Sequence, residues 1–336
     1  MKQDNGYPTV TKHTALSLQS SDSPQLLSPP IPRLSPAAFS SNPQTLLSPP
    51  ILRLSPAASP SIEAMNKDNY TPLHHAARNG HTSTVERLLT QGALIEALDK
   101  DRNTPLHLAA WKSHIYVAEL LLDKGASIQA TNKYFNSPLH LAAWNGHTGM
   151  VELLLERGVF IEARNGYSNT PLHLAILKGH TGMVELLLGK GGAWIEAVSW
   201  NNNTPLHLAT RNGYTGTAKL LLENGARIEA GNNSSNTPLH LATLNGHIDA
   251  VELLLRKGAQ IDTLNSSHRT PLHLAAMSGD TSVVELLLRN GALIETLDYS
   301  NNNPLHLAVK GGHTSVVELL LRKDASTEAL DRKSVV

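Results

Sequence analysis

Cysteine is absent from the 336-residue chain, which excludes a disulfide framework, a thiolate nucleophile, a thioredoxin-type redox pair and any Cys-ligated zinc or iron–sulfur site. Aromatic residues make up only 4% and charged residues 17%, against 40% hydrophobic, so a packed core must be built mostly from aliphatics. Neither sign of charge is in excess: Lys plus Arg is 28 and Asp plus Glu is 28. A domain that held nucleic acid through its phosphates should be visibly basic, so direct nucleic-acid binding is not expected. No run approaches the ~18 apolar residues of a membrane span, and the opening MKQDNGYPTV leads into no apolar h-region. An intracellular protein, cytoplasmic or nuclear, is the expectation, with no membrane partner and no secretion route. The N-x-S/T sequons at Asn69, Asn202, Asn232, Asn233 and Asn265 then read as Asn-rich turns.

Proline divides what is present. Eleven of the nineteen lie in residues 1–67, and the rest are Pro72, Pro105, Pro138, Pro171, Pro205, Pro238, Pro271 and Pro304, spaced by 33 residues except for one step of 34. Self-similarity at that period marks a stacked repeat array. It spans 68–332 in eight units, 68–100, 101–133, 134–166, 167–200, 201–233, 234–266, 267–299 and 300–332, followed by a tail at 333–336. The extra residue falls in Gly189-Lys190-Gly191-Gly192, which lacks P-loop spacing and a preceding strand and reads as a loop insertion.

Each unit reads T-P-L-H-L-A, then Gly-His, then V-E-L-L-L, then G-A-x-I-E-A. Thr104 suits a helix N-cap and Pro105 the first helical position. Gly146, Gly179, Gly213, Gly246 and Gly279 stand where a left-handed residue would end that helix after about two turns. A second helix follows, for which Ser282-x-x-Glu285 and Ser315-x-x-Glu318 have capping-box spacing. One such hairpin cannot bury its apolar face alone, so neighbours must stack.

TPLHLAA, GH, VVELLL and GA at this period resemble the ankyrin repeat, over roughly four fifths of the chain. The resemblance implies an all-α solenoid of helical hairpins with β-turn fingers, a concave groove, and protein binding rather than catalysis. The chain departs from the family's G-A-D-x-N-A, with Glu96, Gln129, Glu162, Glu196, Glu229, Asp262, Glu295 and Glu328 in place of the final Asn, so roles specific to that Asn do not transfer. His75, Thr84 and Arg87 in the first unit read as a polar N-terminal cap. Asn303, Asp324 and Thr327 depart from the pattern in the last unit, whose cap reads as imperfect.

Fourteen of seventeen histidines belong to the repeat. Equivalent residues in adjacent units sit about 8–10 Å apart, too far to share a zinc ion with ligand bonds of about 2 Å, so their expected work is hydrogen bonding between units. No catalytic, cofactor or metal constellation stands out. Binding is sought instead where the repeat varies. Seven residues after each Thr come Arg78, Trp111, Trp144, Leu177, Arg211, Leu244, Met277 and Lys310, a position that the resemblance turns toward the groove. Six aromatics lie in or beside the fingers, Tyr70, Tyr134, Phe135, Tyr167, Trp200 and Tyr299, among Asn residues. Mixed aromatics and amides suit a recognition surface, although Asn also serves turn geometry. The candidate surface is therefore Trp111, Trp144, Leu177, Arg211, Leu244 and Met277 with Tyr134, Tyr167 and Trp200.

Residues 1–67 are Ser/Pro-rich and aperiodic, which reads as a disordered arm. LLSPPIPRLSPAA at 26–38 recurs as LLSPPILRLSPAA at 46–58, a 20-residue duplication whose Ser28, Ser35, Ser48 and Ser55 precede proline and are candidate phosphorylation sites. The expected protein is a monomeric scaffold or adaptor for a protein partner, without cofactor. The alternatives are a nuclear coregulator acting through a transcription factor, and an enzyme.

Overall fold

A computed structural model describes residues 61–323. The arm through residue 60, with the candidate phosphorylation sites Ser28, Ser35, Ser48 and Ser55, and the end of the chain, including Asp324, Thr327 and Glu328, lie outside the described residues. Within them are sixteen helices in eight pairs, the first helices running from Pro72–Arg78 to Pro304–Gly311 and the second from Thr82–Thr90 to Thr314–Arg322. No strand occurs among the described residues, so the fold is the all-α solenoid that the repeat implies. First helices pack on first helices and second on second along the whole stack, and the first helices meet more extensively. The first-helix layer is the one that the ankyrin resemblance turns toward the groove, and is called the inner layer.

Local chemistry starts each first helix as the sequence foretells. At Thr104 the hydroxyl accepts from the His107 backbone N–H, and the Thr104 N–H donates 3.2 Å back to the His107 ring at Nδ1. The N-cap and its third residue thus satisfy each other, with imidazole in the place usually held by Glu or Gln. The helix ends at a left-handed residue: Gly146 has φ 71° and Gly279 φ 80°, and Ser113 takes the same position with φ 61°. Glycine is needed there for space as well, because a Cβ on Gly213 would stand 2.7 Å from His247 Nδ1 of the next unit.

Second helices are entered differently. Ser282 and Ser315 lie inside Thr281–Arg289 and Thr314–Arg322, so the capping boxes expected at those serines do not form. The N-cap residue is His, Tyr or Asp, and only Asp280 caps through its side chain, accepting from Val283 N–H at 3.0 Å. Glu285 pairs instead with Arg289 at 2.7 Å.

Three ladders of polar contacts tie the units. In the first, the TPLH imidazole donates from Nε2 to a carbonyl of the following unit: His107 to Asn136 O at 3.0 Å, His140 to Asn169 O at 3.1 Å, His207 to Asn236 O at 2.8 Å. Because Nδ1 accepts from the N-cap N–H, the proton must sit on Nε2. In the second, the turn histidine donates back to the preceding unit, His147 to Trp111 O at 2.8 Å and His247 to Arg211 O at 2.9 Å. In the third, the acidic residues that replace the family's Asn accept from a loop N–H of the next unit: Glu96 from Ser127 at 2.8 Å, Glu162 from Trp194 at 2.8 Å, Glu229 from Gln260 at 2.8 Å and Asp262 from Leu293 at 3.0 Å. The departure from the pattern therefore has a structural use, a charged acceptor at the junctions that follow Glu96, Glu162, Glu196, Glu229 and Asp262.

The ends behave according to their residues. His75, Thr84 and Arg87 are exposed where Leu108 and Val117 of the next unit are buried, as a terminal cap requires. Residues 61–67, grouped by composition with the arm, already follow the repeat: Ile62 packs on the core, and Glu63 accepts from Leu94 N–H at 2.8 Å. In the last unit Asn303 Nδ2 donates to Glu295, which turns its Oδ1 toward His306. That oxygen can only accept, so the His306 proton moves to Nδ1 and the first ladder changes its chemistry there.

Burial lowers the pKa of His107, His140, His173 and His207 to about 4, against about 6.5 unfolded. Above pH 6.5 both states are neutral and the stability is fully present; as the pH falls toward 4, only the unfolded chain takes protons. Each ring then removes on the order of 3 kcal/mol. Helicity followed by circular dichroism is expected to collapse steeply between pH 6.5 and 4, and helicity unchanged at pH 4 would contradict this. A deletion through residue 67 is likewise expected to lower the thermal midpoint relative to a deletion through residue 60, because only the longer one removes Ile62 and Glu63.

Candidate partner-binding surface

The residue seven after each N-cap sits at the C-terminal end of a first helix on the inner layer. Trp111, Trp144, Leu177, Arg211, Leu244 and Met277 are all half-buried there, as is Arg78, and Lys310 is exposed. Their backbone is held from below, since the turn histidines of the second ladder grip the carbonyls of Trp111, Trp144, Arg211 and Met277. The side chains are left to vary. Leu177 reaches the core, whereas Trp111 and Trp144 are not among the apolar side chains packed on it. Trp144 is covered on one face by the Lys178 ammonium, 4.1 Å from the ring centroid. A ring half in water and half under a cation has area to offer a partner.

The fingers contribute a second row. Each tip holds a non-glycine residue in the left-handed region, among them Arg102, Phe135, Ser168, Asn202 and His268 at φ 56–59°. Adjacent fingers are joined by single backbone bonds, Gly166 N–H to Tyr134 O at 2.9 Å and Trp200 N–H to Tyr167 O at 3.1 Å. Tyr134 and Tyr167 are half-buried, and Trp200 is 69% exposed. Lys133 lies 4.9 Å above the Tyr134 ring. Tyr70 is buried and belongs to the fold, stacking on His74.

The buried finger asparagines do not form an adaptable amide surface. Asn132 Oδ1 accepts from Tyr134 N–H and Asn136 N–H while its Nδ2 donates 2.9 Å to Asn103 Oδ1, and Asn165 repeats the pattern against Asn136. These amides are consumed in the turn and in the step between units.

Besides Trp200, the exposed aromatics among the described residues are Tyr116, Phe135, Phe160, Trp194 and Tyr299. Phe135 is 62% exposed in a left-handed conformation that bulky residues rarely adopt. Phe160 and Trp194, at 61% and 56%, occupy equivalent loop positions in neighbouring units, directly after Gly158-Val159 and Gly192-Ala193. The signal for the last two was the variable position after that pair, which carries no apolar residue in the units with Ser127, Arg227 and Gln260. Just before Trp194, the inserted run is a packed helix end and not an anion loop: a Cβ on Gly191 would lie 2.7 Å from Leu187 O and collide with Ile161.

Metal chemistry has no foothold in the first ladder, where both nitrogens of each imidazole are engaged. No group of three acidic or histidine side chains with metal spacing occurs among the described residues, and none of their helices is long and apolar enough to cross a membrane.

A family model described as ankyrin repeats matches residues 48–132, 129–198, 194–265 and 258–331. The chain belongs to the ankyrin-repeat family. No curated protein matches it in sequence. Among solved structures, the ankyrin repeat domain of Bcl-3, described as a unique member of the IkappaB protein family, is 33% identical, with a TM-score of 0.59 over 66% of this chain and 100% of that domain. Matches extend to 587 solved chains, so the ankyrin scaffold is too widely shared to name a partner, and specificity must come from side chains such as those above.

The left-handed turn at Phe135 gives a direct test. Phe135→Gly is expected to stabilise the ankyrin array by up to about 1 kcal/mol, because glycine adopts this φ without the Cβ penalty. Denaturant unfolding reads the change, and a destabilised variant would show that the ring supports the fold.

Proposed function

We propose that the chain is a non-catalytic adaptor whose ankyrin array holds a protein partner against the inner, first-helix layer. The observation that carries this reading is the pair Trp111 and Trp144: half-exposed, in adjacent units, outside the core, at a position where other units carry Arg, Lys, Leu or Met. The scaffold makes no demand for an aromatic there, and tryptophan is the side chain most enriched in interface hot spots. Leu177, Leu244 and Met277 extend the apolar row, Arg211 interrupts it, and Tyr134, Tyr167 and Trp200 flank it from the fingers. An intracellular monomer without a cofactor fits this use. A second reading, a nuclear coregulator that acts through a transcription factor, is supported by the likeness to the Bcl-3 domain, a member of the IkappaB family.

Trp111→Ala and Trp144→Ala are each expected to weaken partner binding by about 2 kcal/mol or more, with less than about 1 kcal/mol lost from the array, since half-exposed rings leave no closed cavity. Calorimetric titration of a captured partner, alongside thermal unfolding, separates the two effects. A destabilised array with unchanged affinity per folded molecule would sink the proposal. Imaging of the tagged full chain distinguishes the adaptor from the coregulator.

A further inference from the structure

The balanced total charge conceals an uneven distribution. Across the eight first helices and their C-cap residues the charged side chains are Arg78, Lys112, Lys178, Arg211 and Lys310, with no carboxylate at all. Every second helix carries at least one. Nor do the fingers supply free counter-charges: Asp68 pairs with Lys100, Asp101 with Lys133 and Asp298 with Arg269, while Asp99 accepts from two backbone N–H groups of its own turn. The five cations of the inner layer make no ion pair among the described residues.

Arg211 is the most informative of them. It is half-buried, and its guanidinium has neither a hydrogen-bond nor an ion-pair partner among the described residues. Burial pulls its pKa below the usual range with nothing to offset the cost. A charge kept there against its desolvation is explained by an anionic group that arrives from outside.

We infer that the inner face takes an acidic segment of a partner protein, its carboxylates placed on Lys112, Lys178 and Arg211 and its apolar side chains on Trp111 and Trp144. This rests on the reading of that face as the binding surface and adds the chemistry of what binds. With units about 8–10 Å apart, the three steps from Trp111 to Arg211 correspond to an extended segment of about 7–9 residues at roughly 3.3 Å each. Single-stranded nucleic acid is the competing occupant, because cations beside tryptophans suit it too. It fits less well. Beyond Arg211 the row continues as Leu244 and Met277, which offer a base no flat face, and the row carries roughly one cation every 10–20 Å, sparser than the phosphates of a strand.

The test is selection of a displayed random peptide library of about 12 residues on the purified full chain. Recovered peptides are then titrated against the wild type, Lys112→Glu/Lys178→Glu, Arg211→Met and Trp111→Ala/Trp144→Ala. The expected pool is rich in Asp and Glu interspersed with aromatic or aliphatic residues. Affinity should fall at least about tenfold in the Lys pair and weaken as salt rises from about 50 to 300 mM. Arg211→Met should lose affinity while its thermal midpoint holds or rises, a split that a structural arginine would not give. Neutral or basic peptides, no peptide at all, affinities indifferent to the charge variants, or tighter binding of an oligo(dT) strand of about 12 nucleotides would overturn the inference. Neutral or basic peptides that still depend on the tryptophans would leave the surface standing and remove only its charge class.

Discussion

Everything in the array depends on one imidazole per unit that is required to be neutral and to point both ways. The TPLH histidine closes its own helix N-terminus through Nδ1 and reaches the next unit through Nε2, so a single side chain caps a helix and defines the step between repeats. A hydroxyl has too short a reach to span both, and a lysine has no acceptor. Imidazole has a donor and an acceptor on opposite edges of a rigid ring, and burial keeps it uncharged. The apolar core supplies most of the stabilisation, but it is non-directional; the ladder decides how each hairpin sits on its neighbour.

Once the step is fixed, other features follow from it. The turn histidine of one unit lands over the glycine of the last, which explains why Gly and His travel together in the sequence: glycine provides the left-handed turn and also the space. The carboxylate in I-E-A meets the loop of the next unit for the same reason. Where the N-cap becomes Asn303 the imidazole proton changes nitrogen, so a one-residue change alters how the stack ends.

Much of this was legible in the sequence. A 33-residue period with Thr-Pro at a fixed place specifies helix starts, stacking and the fate of the histidines, because local geometry alone dictates those contacts. The second-helix caps were not legible: Ser282 and Glu285 have the right spacing, but Asp280 stands two residues earlier and takes the N-cap, which shifts the serine inside. The array's true beginning was also hidden, since Ile62 and Glu63 sit in a stretch whose composition resembles the arm, and only the partner at Leu94 reveals them. For the candidate surface, variation at the position of Trp111 pointed to the inner face, while the role of the finger asparagines depended on contacts 29 residues away that no local pattern announces.

The same constraint explains how the array can present a surface without weakening itself. The histidine ladders end on backbone carbonyls, so the residue that carries the Trp111 carbonyl is pinned whatever its side chain is. Variation at that position costs the fold little, and units can carry Trp, Leu, Arg or Met in turn. Second-layer carboxylates and first-layer cations are a further consequence, because nothing in the step between units asks for charge on the inner face. Charge that is present there without a structural partner, as at Arg211, is therefore better explained by what the face meets than by what the face supports.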